Sequence, residues 1–113
     1  MSIIYLGAPY SHPDQMVRIR RYMAATRAAA RLMEEGNVVF SPLTHSHPIA
    51  MRLPDYLLMD HKFWMKQDLY WLRFCDRLVV LTLDGWQESK GLAREIAFSK
   101  EHGILVDHME PIA

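Results

Sequence analysis

The sequence predicts an α/β protein built on a parallel sheet of four to five strands with helices on both faces. Three observations carry that expectation. Short apolar runs closed by glycine or proline alternate with longer segments of helical period. The apolar runs are continuous rather than alternating, as in strands covered on both faces. At 113 residues the chain has room for one hydrophobic core and no added substrate domain, so residues 1–113 are expected to form a single domain with any site at the core's edge.

Ile3-Ile4-Tyr5-Leu6 is the first strand, closed by Gly7-Ala8-Pro9. Pro13 suits a first helical turn, with Ser11 or His12 as its cap and Asp14 beside the positive helix end. Met16, Ile19, Met23, Thr26, Ala30 and Met33 recur at three- and four-residue steps. They predict a long amphipathic helix up to Gly36 with that stripe turned to the core. Its other faces carry Arg18, Arg20, Arg21, Arg27 and Arg31, a solvated surface from which an early arginine can reach a phosphate.

Val38-Val39-Phe40 is the second strand. From Ser41-Pro42 to Pro54 the prolines, the histidines and the missing period predict a loop, longer than a plain connector and therefore a cover for a ligand. A helix over about Tyr56–Leu72 follows, then Leu78–Leu83, the most apolar run and the expected central strand. After Asp84–Glu88 a helix spans about Lys90–His102, stopped by Gly103, and Ile104-Leu105-Val106 is the last strand. Open parallel sheets bind ligands beyond the carboxyl ends of their strands, where strand order reverses. That rule selects the loops after Leu6, Phe40, Leu83 and Val106.

Half the residues are hydrophobic and 23% are charged, the balance of a soluble globular protein rather than a membrane one. Ile3–Tyr10 is too short for a signal peptide and has no basic flank, so a cytoplasmic protein is expected. Thirteen basic side chains match thirteen acidic ones, which leaves no field to gather a long nucleic acid; a nucleoside or nucleotide monomer is the easier partner. One cysteine, Cys75, makes neither a disulfide nor a zinc cluster and reads as a buried apolar residue. His45 and His47, alternate residues with no third ligand spaced nearby, are a poor zinc pattern. Hydrogen bonding to a substrate is the better reading, assigned to His45. No metal and no cofactor is called for.

Three segments can carry chemistry. Tyr5-Leu6-Gly7-Ala8-Pro9-Tyr10-Ser11 runs from a strand into a small-residue turn, where backbone amides can approach a ligand; it matches neither a Walker loop nor a dinucleotide fingerprint. In Asp84–Glu95, Ser89 is placed as a helix cap. Gly91 bares the first turn for an anion and leaves a space beside Glu95 one turn on. From spacing alone Glu95 reads first as a surface acid paired with Arg94 or Lys90. Asp60, Trp64, Asp68 and Trp71 share one helix face; a carboxylate between indoles suits a pocket that stacks a flat base, and equally a packing stripe. Two acids from different helices can divide nucleophile and acid/base roles around a glycosidic bond.

With these segments assembled, the chain resembles the nucleoside 2-deoxyribosyltransferase superfamily, its small bacterial branch above all. The likeness rests on Tyr5-Leu6-Gly7-Ala8-Pro9-Tyr10-Ser11, Phe40-Ser41-Pro42, Trp64-Met65-Lys66-Gln67-Asp68, Cys75-Asp76-Arg77-Leu78, and Gly85-Trp86 with Ser89, Gly91 and Glu95. The resemblance implies a flavodoxin-like, Rossmann-like sheet and cleavage of the N-glycosidic bond of a nucleoside or nucleoside 5′-monophosphate, ending on water or on a second base. It implies Glu95 as the nucleophile, Asp68 orienting sugar or nucleophile and handling the base, and Tyr5 beside Glu95. Ser89 and Gly91 would bind a 5′-phosphate. Gly7, Ala8, Pro9, Ser11, His45 and Trp64 complete the expected substrate contacts. Gly7 comes one place earlier than in the commoner Leu-Ala-Gly-Pro order, Leu92 replaces a small or hydroxyl residue, and Lys90 adds charge; these departures tilt the expectation toward a monophosphate. A homodimer or homotetramer is also implied, and eight methionines and three tryptophans are compatible with an apolar interface. The rival expectation is a nucleotide-binding module that keeps the pocket without turnover. A third reading has the tryptophan helix docking a partner protein through an exposed patch.

Overall fold

A computed structural model describes residues 2–112. Four strands, β1 (Ile3–Gly7), β2 (Val38–Phe40), β3 (Arg77–Leu81) and β4 (Leu105–Met109), form one parallel sheet in the order β2-β1-β3-β4. Tyr5 pairs with Phe40 and Leu78, Leu78 pairs with Val106, and β3 and β4 end together at Leu81 and Met109. The chain steps from β1 to β2 on one side, then returns past β1 to β3 on the other. Strand order therefore reverses between β1 and β3, and the crevice at that edge is where an open α/β sheet binds its ligand.

Five helices cover the sheet: α1 (Gln15–Glu34), α2 (Pro42–Ala50), α3 (Asp55–Leu58), α4 (His61–Leu72) and α5 (Lys90–Glu101). A single 3₁₀ turn, Trp86–Glu88, precedes α5. Successive strand residues point to opposite faces, which divides the core in two. Ile4, Leu6, Val79 and Leu81 pack with Ala25, Ala28, Ala29 and Leu32 of α1. Tyr5, Leu78 and Val80 pack with Leu72 and Leu92 from the α4 and α5 side. Helices thus lie on both faces, as the unalternating strands required.

Four expectations are corrected. The buried face of α1 is Ala25, Ala28, Ala29 and Leu32, whereas Met16, Met23 and Met33 of the methionine stripe are each at least half exposed. Both stripes have helical period. The alanine one wins because small side chains let the helix axis settle close to the sheet. The cap is Asp14, whose side chain accepts the Met16 N–H, not Ser11 or His12. The expected loop after Ser41 is mostly helix α2: Pro42 falls at its start, where a missing N–H loses nothing, and Pro48 removes a single bond. Thr26 and Thr44 hydroxyls, 2.9 Å apart, fasten α2 to α1. Finally, the helix expected over Tyr56–Leu72 is two, α3 and α4, because the Asp60 side chain accepts the Lys62 and Phe63 N–H groups and starts a new helix.

Candidate active site

Above the carboxyl ends of β1 and β3 lies a cavity of about 1050 Å³, walled by α1, α2, α4, the start of α5 and the turn after β1. Its floor is set by β1. Tyr5, wholly buried, points away from α1, and its hydroxyl donates to Oε2 of Glu95. Gly7 follows where the strand runs closest to α5: a Cβ there would stand 2.9 Å from Leu92 Cδ2, 3.1 Å from Leu78 Cδ1 and 3.3 Å from Glu95 Oε1. No side chain fits without displacing something. Gly7 and Pro9 are buried behind the wall, while Ala8, Tyr10 and Ser11 border the cavity itself.

Helix α5 begins at this cavity. Ser89 caps it, its Oγ accepting the Leu92 N–H at 3.2 Å. The N–H groups of Lys90 and Gly91, in the first turn, have no intrahelical acceptor. A Cβ on Gly91 would meet only ordinary contacts, the nearest 3.5 Å away at Met65 Cε, so packing does not demand a glycine there. One turn on, Glu95 is 4% exposed and borders the cavity. It is no surface acid, and neither Arg94 nor Lys90 pairs with it, since the ion pair among the described residues is Arg77 with Asp107.

Asp68 of α4 reaches the same cavity and also borders a smaller cleft of about 170 Å³. Burial raises its pKa to about 7. Glu95 is pushed up to about 8 by burial first and by Asp68 second, against the Tyr5 hydrogen bond, which favours the carboxylate. Tyr5 is raised well above its ordinary value by its own burial, then by Glu95 and Asp68. Buried Glu95 and Tyr5 thus share a corner of the cavity with a partly buried Asp68, without a cation among them.

The indoles divide. Trp64 borders both cavities, held by its Nε1 donating to the Leu58 carbonyl at 2.9 Å, whereas Trp71, 46% exposed, borders only the small cleft and tilts against Phe40. Asp60 is spent as the α4 cap. The histidines exchange places with the expectation. His45 borders only the small cleft, beside Phe40. His47 borders the large cavity, with Nδ1 2.6 Å from the Tyr10 hydroxyl and its ring stacked on Tyr22. Burial first and Arg18 second lower the His47 pKa. On a loop the two are indistinguishable; on a helix, residues two apart cannot face one way. Among the described residues no three His, Cys, Asp or Glu side chains gather as a metal would require, and no helix is long and apolar enough to cross a membrane.

The arginines of α1 are the larger addition to the expected site. Arg18, Arg20, Arg21 and Arg27 all border the cavity, and Arg31 does not. Arg18 Nη1 donates to the His12 carbonyl. Arg21 donates to the Ser11 carbonyl at 3.1 Å and to the Asp84 carbonyl at 3.0 Å, joining the loops after β1 and β3 across the crevice. Gly85 stands under that guanidinium at φ +89°, where a Cβ would lie 2.7 Å from Arg21 Nη2. The sequence signal was helical spacing: Arg20, Arg21 and Arg27 each stand three or four residues from Val17 or Ala24, which border the cavity too.

Fold and cavity together define a flavodoxin-like parallel-sheet protein with a carboxyl pair at the point where strand order reverses. The chain belongs to the family described as a domain of unknown function, DUF1937, whose family model matches residues 2–110, and which lies in the nucleoside 2-deoxyribosyltransferase-like group. It is similar in structure to a 2-deoxyribosyltransferase from the psychrotolerant bacterium Bacillus psychrosaccharolyticus. The TM-score is 0.67 at 21% identity, over 96% of this chain and 72% of that one, which establishes a common fold. No curated protein matches the chain.

Proposed function

We propose that this chain cleaves the N-glycosidic bond of a nucleoside 5′-monophosphate, with Glu95 as nucleophile and Asp68 as acid and base, residues 1–113 acting as one catalytic domain. The observation that carries the reading is the buried Glu95 carboxyl, held by Tyr5 and sharing a cavity with Asp68, one helical turn from the unpartnered N–H groups of Lys90 and Gly91. A phosphate on those N–H groups is favoured by their geometry and by the helix dipole. It would direct the sugar toward Glu95. Trp64 and the small cleft offer the flat base an aromatic wall.

The reactive form of the singly protonated pair is the one with the proton on Asp68: Glu95, its carboxylate favoured by the Tyr5 hydrogen bond to Oε2, attacks the anomeric carbon through Oε1. The glycosidic C–N bond breaks, its electron pair leaves with the base, and Asp68 delivers the proton to a base nitrogen. The products of this step are free base and a sugar ester of Glu95. Asp68, now a carboxylate, takes a proton from water as it attacks the anomeric carbon, and Glu95 departs; attack by a second base instead gives transfer. A neighbouring subunit is expected to complete the site, with Tyr70, Trp71 and Phe74, all about half exposed, as its seat; sedimentation velocity would read the dimer or tetramer directly.

The test is chromatographic detection of free base from nucleosides and their 5′-monophosphates, with Glu95→Gln as control. Release by the wild type and not by the variant is expected. Silence across the panel, with and without an added acceptor base, would leave a binding module.

A further inference from the structure

The cavity is larger than its proposed chemistry needs, and that chemistry leaves the arginines of its α1 wall unused. Drug-sized ligands fill pockets of roughly 300–1000 Å³, and at about 1050 Å³ this one exceeds a nucleoside monophosphate's requirement. Along the α1 wall, Arg18 and Arg21 lie one turn apart, and no carboxylate pairs with either. Both are anchored by backbone carbonyls instead. A carbonyl fixes a guanidinium's position without neutralising it, and the fork retains further N–H donors suited to phosphate oxygens.

The second anchor of Arg21 locates this charge relative to the α5 start. The Asp84 carbonyl it holds and the Ser89 cap are the two ends of one short loop, separated by the 3₁₀ turn Trp86–Glu88. Arg18 and Arg21 border the cavity from α1, and Ser89, Lys90 and Gly91 border it from the start of α5, so the two groups of donors can serve different phosphates. Asp84 and Glu88, exposed on that loop, also border the cavity, so a polyphosphate there passes near two carboxylates as well as the arginines.

We infer that the cavity takes a nucleotide with two or more phosphates, the first on the α5 amino end and the outer ones on Arg18 and Arg21. The inference rests on the glycosidase reading for the sugar's placement and extends it to the substrate class. Arg18 and Arg21 are then binding residues, Arg21 also positioning the two loops.

The experiment pairs two readouts, in magnesium buffer. Calorimetry on Glu95→Gln protein measures binding of the 2′-deoxyadenosine and 2′-deoxycytidine series as nucleoside, 5′-mono-, 5′-di- and 5′-triphosphate, and of inorganic pyrophosphate. Chromatography on otherwise wild-type protein measures base release from the same series. The expected result is at least tenfold tighter binding of diphosphate than monophosphate, with kcat/KM rising in step. That preference should collapse in Arg18→Gln, while Arg31→Gln, outside the cavity, keeps it. Equal affinity for mono- and diphosphate overturns the inference and leaves the glycosidase reading standing. Tighter diphosphate binding with no base release from any compound overturns the glycosidase reading and sustains the polyphosphate site. No binding by any member overturns both. Arg21→Lys, which keeps the charge but loses one of the two carbonyl anchors, should retain part of the preference; full retention in both variants also overturns the assignment.

Discussion

The two ends of the cavity are built on opposite electrostatic plans. At one end Glu95 and Asp68 are carboxyls without an ion-pair partner; at the other Arg18 and Arg21 are cations without one, although Asp84 acts on Arg21 from the loop after β3. Joined, they would make ion pairs. Kept apart, each end is left with uncompensated interaction capacity that only a ligand can use, an arrangement that marks functional sites more often than structural ones. The ends also differ in burial. Glu95 is buried at the sheet's carboxyl edge, where desolvation favours its neutral form, whereas Asp68, Arg18 and Arg21 are only partly buried.

The comparison breaks most sharply at Glu95. Glu95→Gln preserves shape and a partner for Tyr5, yet base release should fall at least about a thousandfold if this carboxyl attacks the sugar. A residual rate within tenfold of wild type, read by chromatography, would move the nucleophile elsewhere. Next in size is Tyr5→Phe. Losing a hydrogen bond to a charged group costs about 1.5–3 kcal/mol, so kcat is expected to fall roughly ten- to a hundredfold. The Glu95 pKa should rise further, since the tyrosine bond lowers it. An unchanged acidic limb in the pH–rate profile would deny the phenol that role.

Two glycines sharpen the contrast between packing and binding. Gly7→Ala places a methyl against Leu92 and Leu78 and should destabilise by about 1–3 kcal/mol. Gly91→Ala meets only ordinary contacts and gains up to about 1 kcal/mol of helix propensity, yet it narrows the phosphate seat. A higher melting temperature with a raised monophosphate KM is expected; a higher melting temperature alone would free Gly91 of any ligand.

The pair also makes stability depend on pH. Asp68 and Glu95 titrate near 7 and 8 in the folded chain against ordinary values of 3.8 and 4.5. Between about pH 4 and 8 the folded state therefore holds protons the unfolded chain has released, so unfolding free energy falls as pH rises through that window. Urea unfolding at pH 5 and 8.5 should show the decline, and Glu95→Gln should flatten it. In kcat/KM the pair should give a bell with limbs near those values, belonging to the dyad rather than to either residue.

The element order, the parallel sheet and the Ser89 cap were legible because each rests on neighbours in sequence: an apolar run, a glycine stop, a hydroxyl one place before a helix. The pairing of Glu95 with Asp68 and Tyr5 was reached through family resemblance, since nothing local in a helix glutamate says whether it faces water or a cavity. The structure shows it buried, with Tyr5 bonded to it.

Other features had no local signal to read. Which stripe of α1 turns inward depends on what the sheet offers it, and a surface of branched strand residues accepts alanines at closer range than methionines. Whether Ser41–Pro54 is loop or helix depends on α2 having α1 to lie against, because tertiary burial outweighs two prolines. His47 replaces His45 at the cavity for the same reason: once the segment is helical, its phase selects one histidine. The sequence by itself determined the class of fold and the residues able to do chemistry. Only the packing of helix against sheet decided which of them meet, since facing is a property of two surfaces and period is a property of one.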